Sequence, residues 1–497
     1  MFSLNPNKDT RYIAPLLPAL SVLLAQGLLL FPRPFAFLRL GILGLMGLLM
    51  VSNLFPLLPG KAVSHMAKPP QNWHLQDAIA TIAQTQPNLR QNVGVLPSIP
   101  ELNQHNFNYF GTLANFQVYG RQVGTRDQQV WSDSRSLPWY LLKTGEQGAI
   151  RKPQALESLT KAITTSKEFR LEQTWKLPDQ SDLNLYRRIT PTVTVTPVVG
   201  AQWGDEQLLR LEQVVVPGTA APGKPIPVTY KWAGSGADLQ SGLLLLRWVG
   251  ASGKGHWLHD HGLGLGELTN LEPKTLYQVN ETLAMLPPSN ATGNYSLEAL
   301  YLNRTTGDIY PLVPPDITIA MVKDRPEGIS PAAKPQPTPE LDPITKLRLM
   351  ATELPKGVTA LEKLFDQVAR LNLYDPTQNY LIQAQESLAY RLKEDPKNKQ
   401  YAYAYAFTQV LRRNVGGAIA AFQTVAQLDP QNPNANAYLA FVNLADLRPG
   451  EAQKAIETAE KQPNPGKEVR GLKAIAKLMQ GNLVGAWQDF QTFQKEK

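Results

Sequence analysis

The stretch RNVGGAIAAFQTVAQLDPQNP, residues 413–433, contains one period of a sequence repeat. Two of its positions, a small residue and a large apolar residue four positions later, recur at steps of 34 residues. The small residue lets two antiparallel helices approach closely, and the large residue fills the space one helical turn further on. The small column consists of Ala384, Ala418, Ala452 and Ala486, and the large column consists of Leu388, Phe422, Ile456 and Phe490.

The repeat has a turn signal as well as helix signals. Pro396 and Pro430 lie where one unit ends and the next begins. This pattern resembles the second helix and turn of a tetratricopeptide repeat (TPR). The first-helix positions depart from the family's usual Trp, Leu, Gly and Tyr. We predict that residues 344–497 form an α-helical TPR solenoid whose groove binds a protein or peptide. In the best unit the departing positions are Ala402, Tyr405, Ala406 and Gln409.

Three segments of different composition precede the repeats. Residues 72–190 alternate helical patterns with short apolar strands such as NVGVL, which predicts a small α/β domain. Residues 205–322 contain short strands separated by Pro, Gly and Asn turns, which is typical of an immunoglobulin-like β-sandwich. Residues 323–343 are rich in proline and indicate an extended linker.

Two apolar stretches, Tyr12–Phe31 and Phe35–Leu58, begin the chain with only Pro32-Arg33-Pro34 between them. About 20 residues of helix cross a bilayer. The first stretch is longer than the apolar part of a signal peptide, and no A-x-A-like cleavage site follows it. We therefore predict a two-helix transmembrane hairpin within residues 1–60 and a multi-domain α+β membrane protein. The predicted location is the plasma membrane, with membrane lipid as one partner.

Composition excludes some classes of function. The formal net charge is +8, but the basic residues are spread along the chain without interleaved aromatic residues, so we predict no nucleic-acid partner. The chain has no cysteine, which excludes disulfides, thiol catalysis and cysteine-ligated metals.

The N-terminal stretch carries a K-x-x-R-Y-x-x-P-x-x-P pattern. Its residues are Lys8, Arg11, Tyr12, Pro15 and Pro18. With the stretch NVGVLPSIPELNQHNFNYFGTLANFQVYGRQV at residues 92–123, it resembles polyprenyl-phosphate-sugar-dependent membrane glycosyltransferases of GT-C type (family 39-like). The resemblance covers residues 5–320 and concerns the C-terminal portion of such enzymes.

That resemblance has consequences for topology and chemistry. It implies that the soluble domains are extracytoplasmic and that Lys8, Arg11 and Tyr12 contact a lipid phosphate, although these three residues also suit ordinary interfacial anchoring. The family's catalytic acid lies on an early outer loop, where this chain has only Asp9, a residue that suits a solvated tail. We therefore predict no catalytic residue and no cofactor here, since a divalent metal belongs only to a complete transferase.

Two functions remain open from the sequence. In the first, the chain is a non-catalytic part or split partner of a transferase that uses a lipid-linked sugar donor. It would be inactive alone and would bind a separate catalytic membrane subunit. In the second, it is a membrane-anchored TPR adaptor with no role in glycosyl transfer.

The stretch HWLHDHG contains the densest group of candidate metal ligands. His259 and His261 would share one face of a strand and Asp260 the other. Two histidines could hold a divalent metal, but the flanking glycines favour a polar, exposed hairpin tip. Nearby Trp232, Trp248 and Trp257 could stack on sugars or pack in a sandwich core.

Overall fold

The structure is a computed structural model that describes most of the chain. The described residues are 17–29, 36–54, 71–148, 150, 152–198, 209–251, 253, 255–322, 339–357 and 361–495. The chain divides into two units, Met1–Asn72 and Trp73–Lys497.

The first unit contains two helices, α1 (Leu17–Leu29) and α2 (Ala36–Leu54). The predicted transmembrane hairpin is wrong, because no helix in the described part of the chain combines the length and apolarity needed to cross a membrane. Helix α1 has 13 residues, which span about 20 Å of a hydrocarbon core about 30 Å thick. Helix α2 has 19 residues and carries Arg39 in its first turn.

The same finding overturns the predicted location as a two-span plasma-membrane protein. The prediction counted apolar residues at both ends of each stretch as helix. The described helices α1 and α2 are shorter than the 20 and 24 residues of the predicted spans.

The second unit begins with a five-stranded sheet in the order β2-β1-β3-β5-β4. Strands β1, β2 and β3 are parallel, and β5 and β4 extend the sheet antiparallel. Every residue of β1 is buried, as a strand covered on both faces requires. The elements are α3 (Leu75–Thr85), β1 (Gln91–Val95), α4 (Gln104–Leu113), β2 (Val118–Gln122), α5 (Val130–Ser136), β3 (Trp139–Lys143), α6 (Pro153–Thr164), β4 (Phe169–Lys176) and β5 (Asp182–Arg188).

A two-sheet sandwich follows. One sheet has the order β6-β13-β9-β7, and the other has β11-β10-β14-β16-β8 with β12 on β10 and β15 on β14. The elements are β6 (Val193–Pro197), β7 (Arg210–Val215), β8 (Thr219–Ala220), β9 (Ile226–Ser235), α7 (Gly236–Ser241), β10 (Gly242–Gly250), β11 (His256–Leu258), β12 (His261–Gly262), β13 (Leu276–Met285), β14 (Gly293–Asn303), β15 (Ile309–Leu312) and β16 (Thr318–Met321).

Large aromatic residues fill the space between these sheets. Trp232 and Trp248 are fully buried, and Trp257 is 5% exposed and stacks on Trp248. These three rings therefore form the sandwich core, and their faces are not available to a sugar. Strand β6 lies before the predicted start of the sandwich at residue 205. Its prolines hid it in the sequence, but an edge strand tolerates Pro197.

The helical region packs against the sandwich and the first sheet. Outward-facing Leu243 and Leu245 of β10 join the same apolar cluster as Leu347 and Phe407. The helices are α8 (Pro343–Ala351), α9 (Leu361–Tyr374), α10 (Asn379–Glu394), α11 (Lys399–Leu411), α12 (Val415–Leu428), α13 (Pro433–Ala445), α14 (Pro449–Glu460), α15 (Lys467–Met479) and α16 (Leu483–Lys495).

Short turns and polar caps define the repeat units. Helices α11 and α12, α13 and α14, and α15 and α16 pack as successive pairs. The side chains of Asn398 and Asn432, 34 residues apart, each accept a hydrogen bond from a backbone N–H at the start of a first helix. Asn414 does the same for the second helix α12.

Two glycines in helices give a test of the packing of α4 on β2. A Cβ at Gly111 would lie 2.2 Å from the backbone oxygen of Val118, whereas a Cβ at Gly416 would meet no atom within 4 Å. We expect Gly111→Ala to destabilise the protein by about 1–3 kcal/mol because the backbone must move. Gly416→Ala should be neutral or stabilise it by up to about 1 kcal/mol. Urea unfolding measures both, and equal effects would contradict the described approach of α4 to β2.

Candidate protein-binding groove

The two repeat columns lie inside the helical array. All four residues of the small column are buried, as are the first three of the large column. Phe490 is 40% exposed, because the described chain has no helix after α16 to cover it. The exposed fractions are 0% for Ala384, 2% for Ala418, 0% for Ala452, 7% for Ala486, 0% for Leu388, 3% for Phe422 and 0% for Ile456.

One face of the first helices of the pairs defines a groove. On α13, Asn434, Tyr438 and Phe441 are spaced by four and three residues, so they share one side of the helix. Residues 34 positions earlier and later put the equivalent sides on α11 and α15. We call this surface, formed by α11, α13 and α15, the inner face.

The chain's own helix α8 covers the first part of the inner face. Helix α8 packs against α10 and α11, and the 3-10 turn that follows it, Leu354–Lys356, packs against α13. Ile344 and Leu347 of α8 are buried in the same cluster as Tyr403 and Phe407 of α11. An amphipathic helix thus occupies the position where we predicted a ligand.

Polar side chains of α13 hold the turn after α8. The Tyr438 hydroxyl donates to the Leu354 carbonyl at 2.9 Å. The amides of Asn432 and Asn434 both donate to the Pro355 carbonyl, at 3.0 and 3.1 Å. Backbone carbonyls of an inserted segment are therefore recognised by side chains at fixed places on the repeat.

The inner face continues beyond α8 as an apolar surface. Phe407, Phe441 and Ile475 occupy the same repeat position at steps of 34 residues. Phe407, beneath α8, is 3% exposed, whereas Phe441 is 53% and Ile475 48% exposed. Leu478, one turn further along α15, is 54% exposed. We call Phe441, Ile475 and Leu478 the open row.

A buried ion pair fixes the first helix of the large column to the sandwich. The Arg391 guanidinium of α10 donates to both oxygens of Asp260, at 2.8 and 3.0 Å, and the Ser387 hydroxyl donates to the same carboxylate at 2.7 Å. Asp260 is completely buried and Arg391 is 2% exposed. Burial alone would raise the pKa of the Asp260 carboxyl, but the Arg391 guanidinium outweighs it and holds that pKa below its usual value.

His259 and His261 lie beside this pair, on the opposite side of the strand from Asp260, with ring centroids 4.9 Å apart. Both are buried, so the exposed hairpin tip expected from the flanking glycines is wrong. The chain folds α8 and α10 over these residues, and that cover comes from positions more than 80 residues away.

Protein groups surround both histidine rings. Burial and the neighbouring His261 lower the pKa of His259 to about 3, and its Nδ1 lies 2.9 Å from the Tyr230 hydroxyl. Burial lowers the pKa of His261 too, but the Glu281 carboxylate at 3.3 Å outweighs it and raises that pKa. Among the described residues no group of three or more His, Cys, Asp or Glu side chains could hold a metal ion.

The predicted lipid-phosphate residues Lys8, Arg11 and Tyr12 lie outside the described residues. Sequence reasoning also missed Asp342, whose carboxylate caps α8 by accepting from the Thr345 N–H at 2.8 Å and lies 3.5 Å from His259 Nε2. The signal was present, since an aspartate directly before a proline is a common helix start.

Comparisons with known proteins give structural similarity only. No family model matches this chain, and no curated protein matches it. Among solved structures, MamA AMB-1 is 19% identical, with a TM-score of 0.23, over 31% of this chain and 90% of that one. A tetratricopeptide repeat protein from Parabacteroides merdae is 15% identical, with a TM-score of 0.23, over 31% of this chain and 66% of that one.

The ion pair between Asp260 and Arg391 gives a stability prediction. Arg391→Met leaves a buried carboxylate without its cation, which should lower the free energy of unfolding by about 3–5 kcal/mol. The matched control is Arg247→Met, which removes a surface pair with Glu298 and should change it by less than about 1 kcal/mol. Denaturant unfolding at pH 7 measures both, and a loss no larger for Arg391→Met than for the control would rule out the pair as an anchor.

Proposed function

We propose that this chain is a protein-binding scaffold whose groove takes an amphipathic helix of a partner protein on the open row. The observation that carries the proposal is the repeat position shared by Phe407, Phe441 and Ile475. The first of the three is covered by a helix of the chain itself. The other two present the same kind of side chain, at the same place in the repeat, to a partner.

The chemistry of the partner follows from the surroundings of the open row. Lys473 is paired with Glu460 at 2.8 Å, and Lys477 is paired with Asp489 at 2.7 Å. These charges are therefore satisfied within the array, and apolar area dominates recognition. Helix α8 buries Ile344, Leu347, Met350 and Ala351, spaced by three, three and one residues. A partner helix with a similar apolar stripe fits the continuation of the same face.

The finer prediction concerns the identity of the partner. The resemblance to lipid-phosphosugar-dependent transferases predicts that it is a catalytic transferase subunit. The adaptor alternative predicts a partner without that activity. Both require the same groove, so identification of the segment bound at the open row separates them.

Photo-crosslinking at the groove tests the proposal. A benzophenone amino acid in place of Phe441, introduced into the full chain in its own cells, should crosslink to one partner segment. Mass spectrometry then identifies that segment. The same group at Val313, which is 89% exposed on the sandwich, is the control position and should not reach it. Crosslinks that are equal at both positions, or that lie in a segment without an apolar helical stripe, would refute the proposal.

A synthetic peptide of the crosslinked segment gives the quantitative test. We expect Ile475→Asp to weaken its binding to the purified chain at least tenfold, because a carboxylate would be buried against apolar side chains. Val313→Asp should leave the dissociation constant unchanged. Circular dichroism and thermal unfolding of both variants establish that the array is still folded. Undiminished binding by folded Ile475→Asp would place the partner elsewhere.

A further inference from the structure

A cavity of about 600 Å³ lies inside the Trp73–Lys497 unit, where the first sheet, the sandwich and the helical region meet. Its wall includes Asn92 of β1, Glu267 from the turn before β13, and Asp342 at the start of α8. The volume is within the range of small-molecule sites, which is about 300–1,000 Å³. The cavity is separate from the inner face of the repeats.

Three acceptor atoms on this wall have no hydrogen-bond donor within the described protein. They are Asn92 Oδ1, Glu267 Oε2 and Asp342 Oδ2. Asn92 is 8% and Asp342 1% exposed, so bulk water does not compensate them fully. Buried acceptors without donors are costly, and several on one cavity wall indicate a ligand that brings donors.

The basic side chains of the wall do not favour an anion. Four of the five already contact a carboxylate, so an anionic ligand would have to compete for each of them. The ion pairs are Arg90 with Glu267 at 3.6 Å, Arg135 with Glu340 at 3.2 Å, Arg188 with Glu168 at 2.7 Å, and Lys346 with Glu340 at 3.0 Å.

The rest of the wall is apolar. Leu89 and Leu137 from the first sheet and Leu283 from β13 are buried residues that face the cavity. A fitting ligand therefore has an apolar body and a compact group of hydrogen-bond donors. An ammonium group supplies three donors and a positive charge beside two carboxyl groups.

We propose that this cavity binds a small organic amine, with its ammonium group on the acceptors of Asn92, Glu267 and Asp342 and its apolar part against the leucines. This site is independent of the protein-binding groove. Burial and the nearby Asp375 carboxylate raise the pKa of Glu267 to about 8, and Arg90 offsets this only in part. The bound cation reverses that effect, so Glu267 releases a proton when the amine binds near pH 7.

Calorimetric titration of the full chain tests the site with three compounds of one shape. Benzylamine should bind at least tenfold more tightly than benzyl alcohol, and benzoate should not bind. Repeating the titration in phosphate and in Tris should reveal proton release with benzylamine. Equal binding of benzylamine and benzyl alcohol would indicate a neutral polyol-type or apolar site and would overturn the proposal, as would binding of benzoate.

Matched variants locate the binding. Glu267→Gln keeps the shape of the side chain and should weaken benzylamine binding at least tenfold and abolish the proton release. Glu298→Gln removes a carboxylate outside the cavity wall and should change neither. Unchanged binding by Glu267→Gln, with thermal unfolding that shows an intact fold, would place the amine outside this cavity.

Glu267 also gives a pH prediction that needs no ligand. Its folded pKa lies above the unfolded value of about 4.3, so its contribution to stability is present in acid and is lost as the pH rises toward 8. Glu267→Gln removes this loss. The variant should therefore have a higher urea midpoint than the unaltered chain at pH 8.5 and the same midpoint near pH 4. A lower midpoint at pH 8.5 would show that the carboxylate is stabilised as an anion.

Discussion

The buried pair of Asp260 and Arg391 constrains how the sandwich and the helical region fit together. A carboxylate and a guanidinium can be buried only when each fully satisfies the other, and here Ser387 supplies the remaining donor. Close approach of the two regions is possible because Gly262 and Gly266 lie against Gln383 of α10, where a Cβ would come within 2.6 Å. The position of α10, and with it the direction of the repeat array, follows from this contact.

The segment that follows the proline-rich linker has two structural roles. Leu341 pairs with Ala284 of β13, and Asp342 then begins α8 beneath His259. The same α8 next covers the inner face at Phe407. One stretch of 19 described residues, 339–357, therefore joins the sandwich edge, the buried histidines and the groove. A change in any of these contacts would be felt by the other two.

The sequence was most informative where structure repeats and least informative where contacts are distant. The columns at Ala418 and Phe422 recur because every helix pair needs the same close approach, so spacing alone predicts the packing. His259 and Asp260 lie between glycines that suggest a surface turn, and their cover by α8 and α10 leaves no local sign. The membrane hairpin failed for another reason: apolar content was counted over stretches longer than the helices α1 and α2. The cavity acceptors, which come from three separate parts of the chain, have no sequence signature.

Helix α8 lies on the inner face as part of the same chain, and this changes the competition for the groove. A tethered segment has an effective concentration in the millimolar range, without regard to how much protein the cell contains. A free peptide that needed the place of α8 would have to exceed that concentration or bind far more tightly. Selection of partners is thereby divided along the array, with the half nearest the sandwich closed to ordinary ligands and the distal half governed by ordinary mass action.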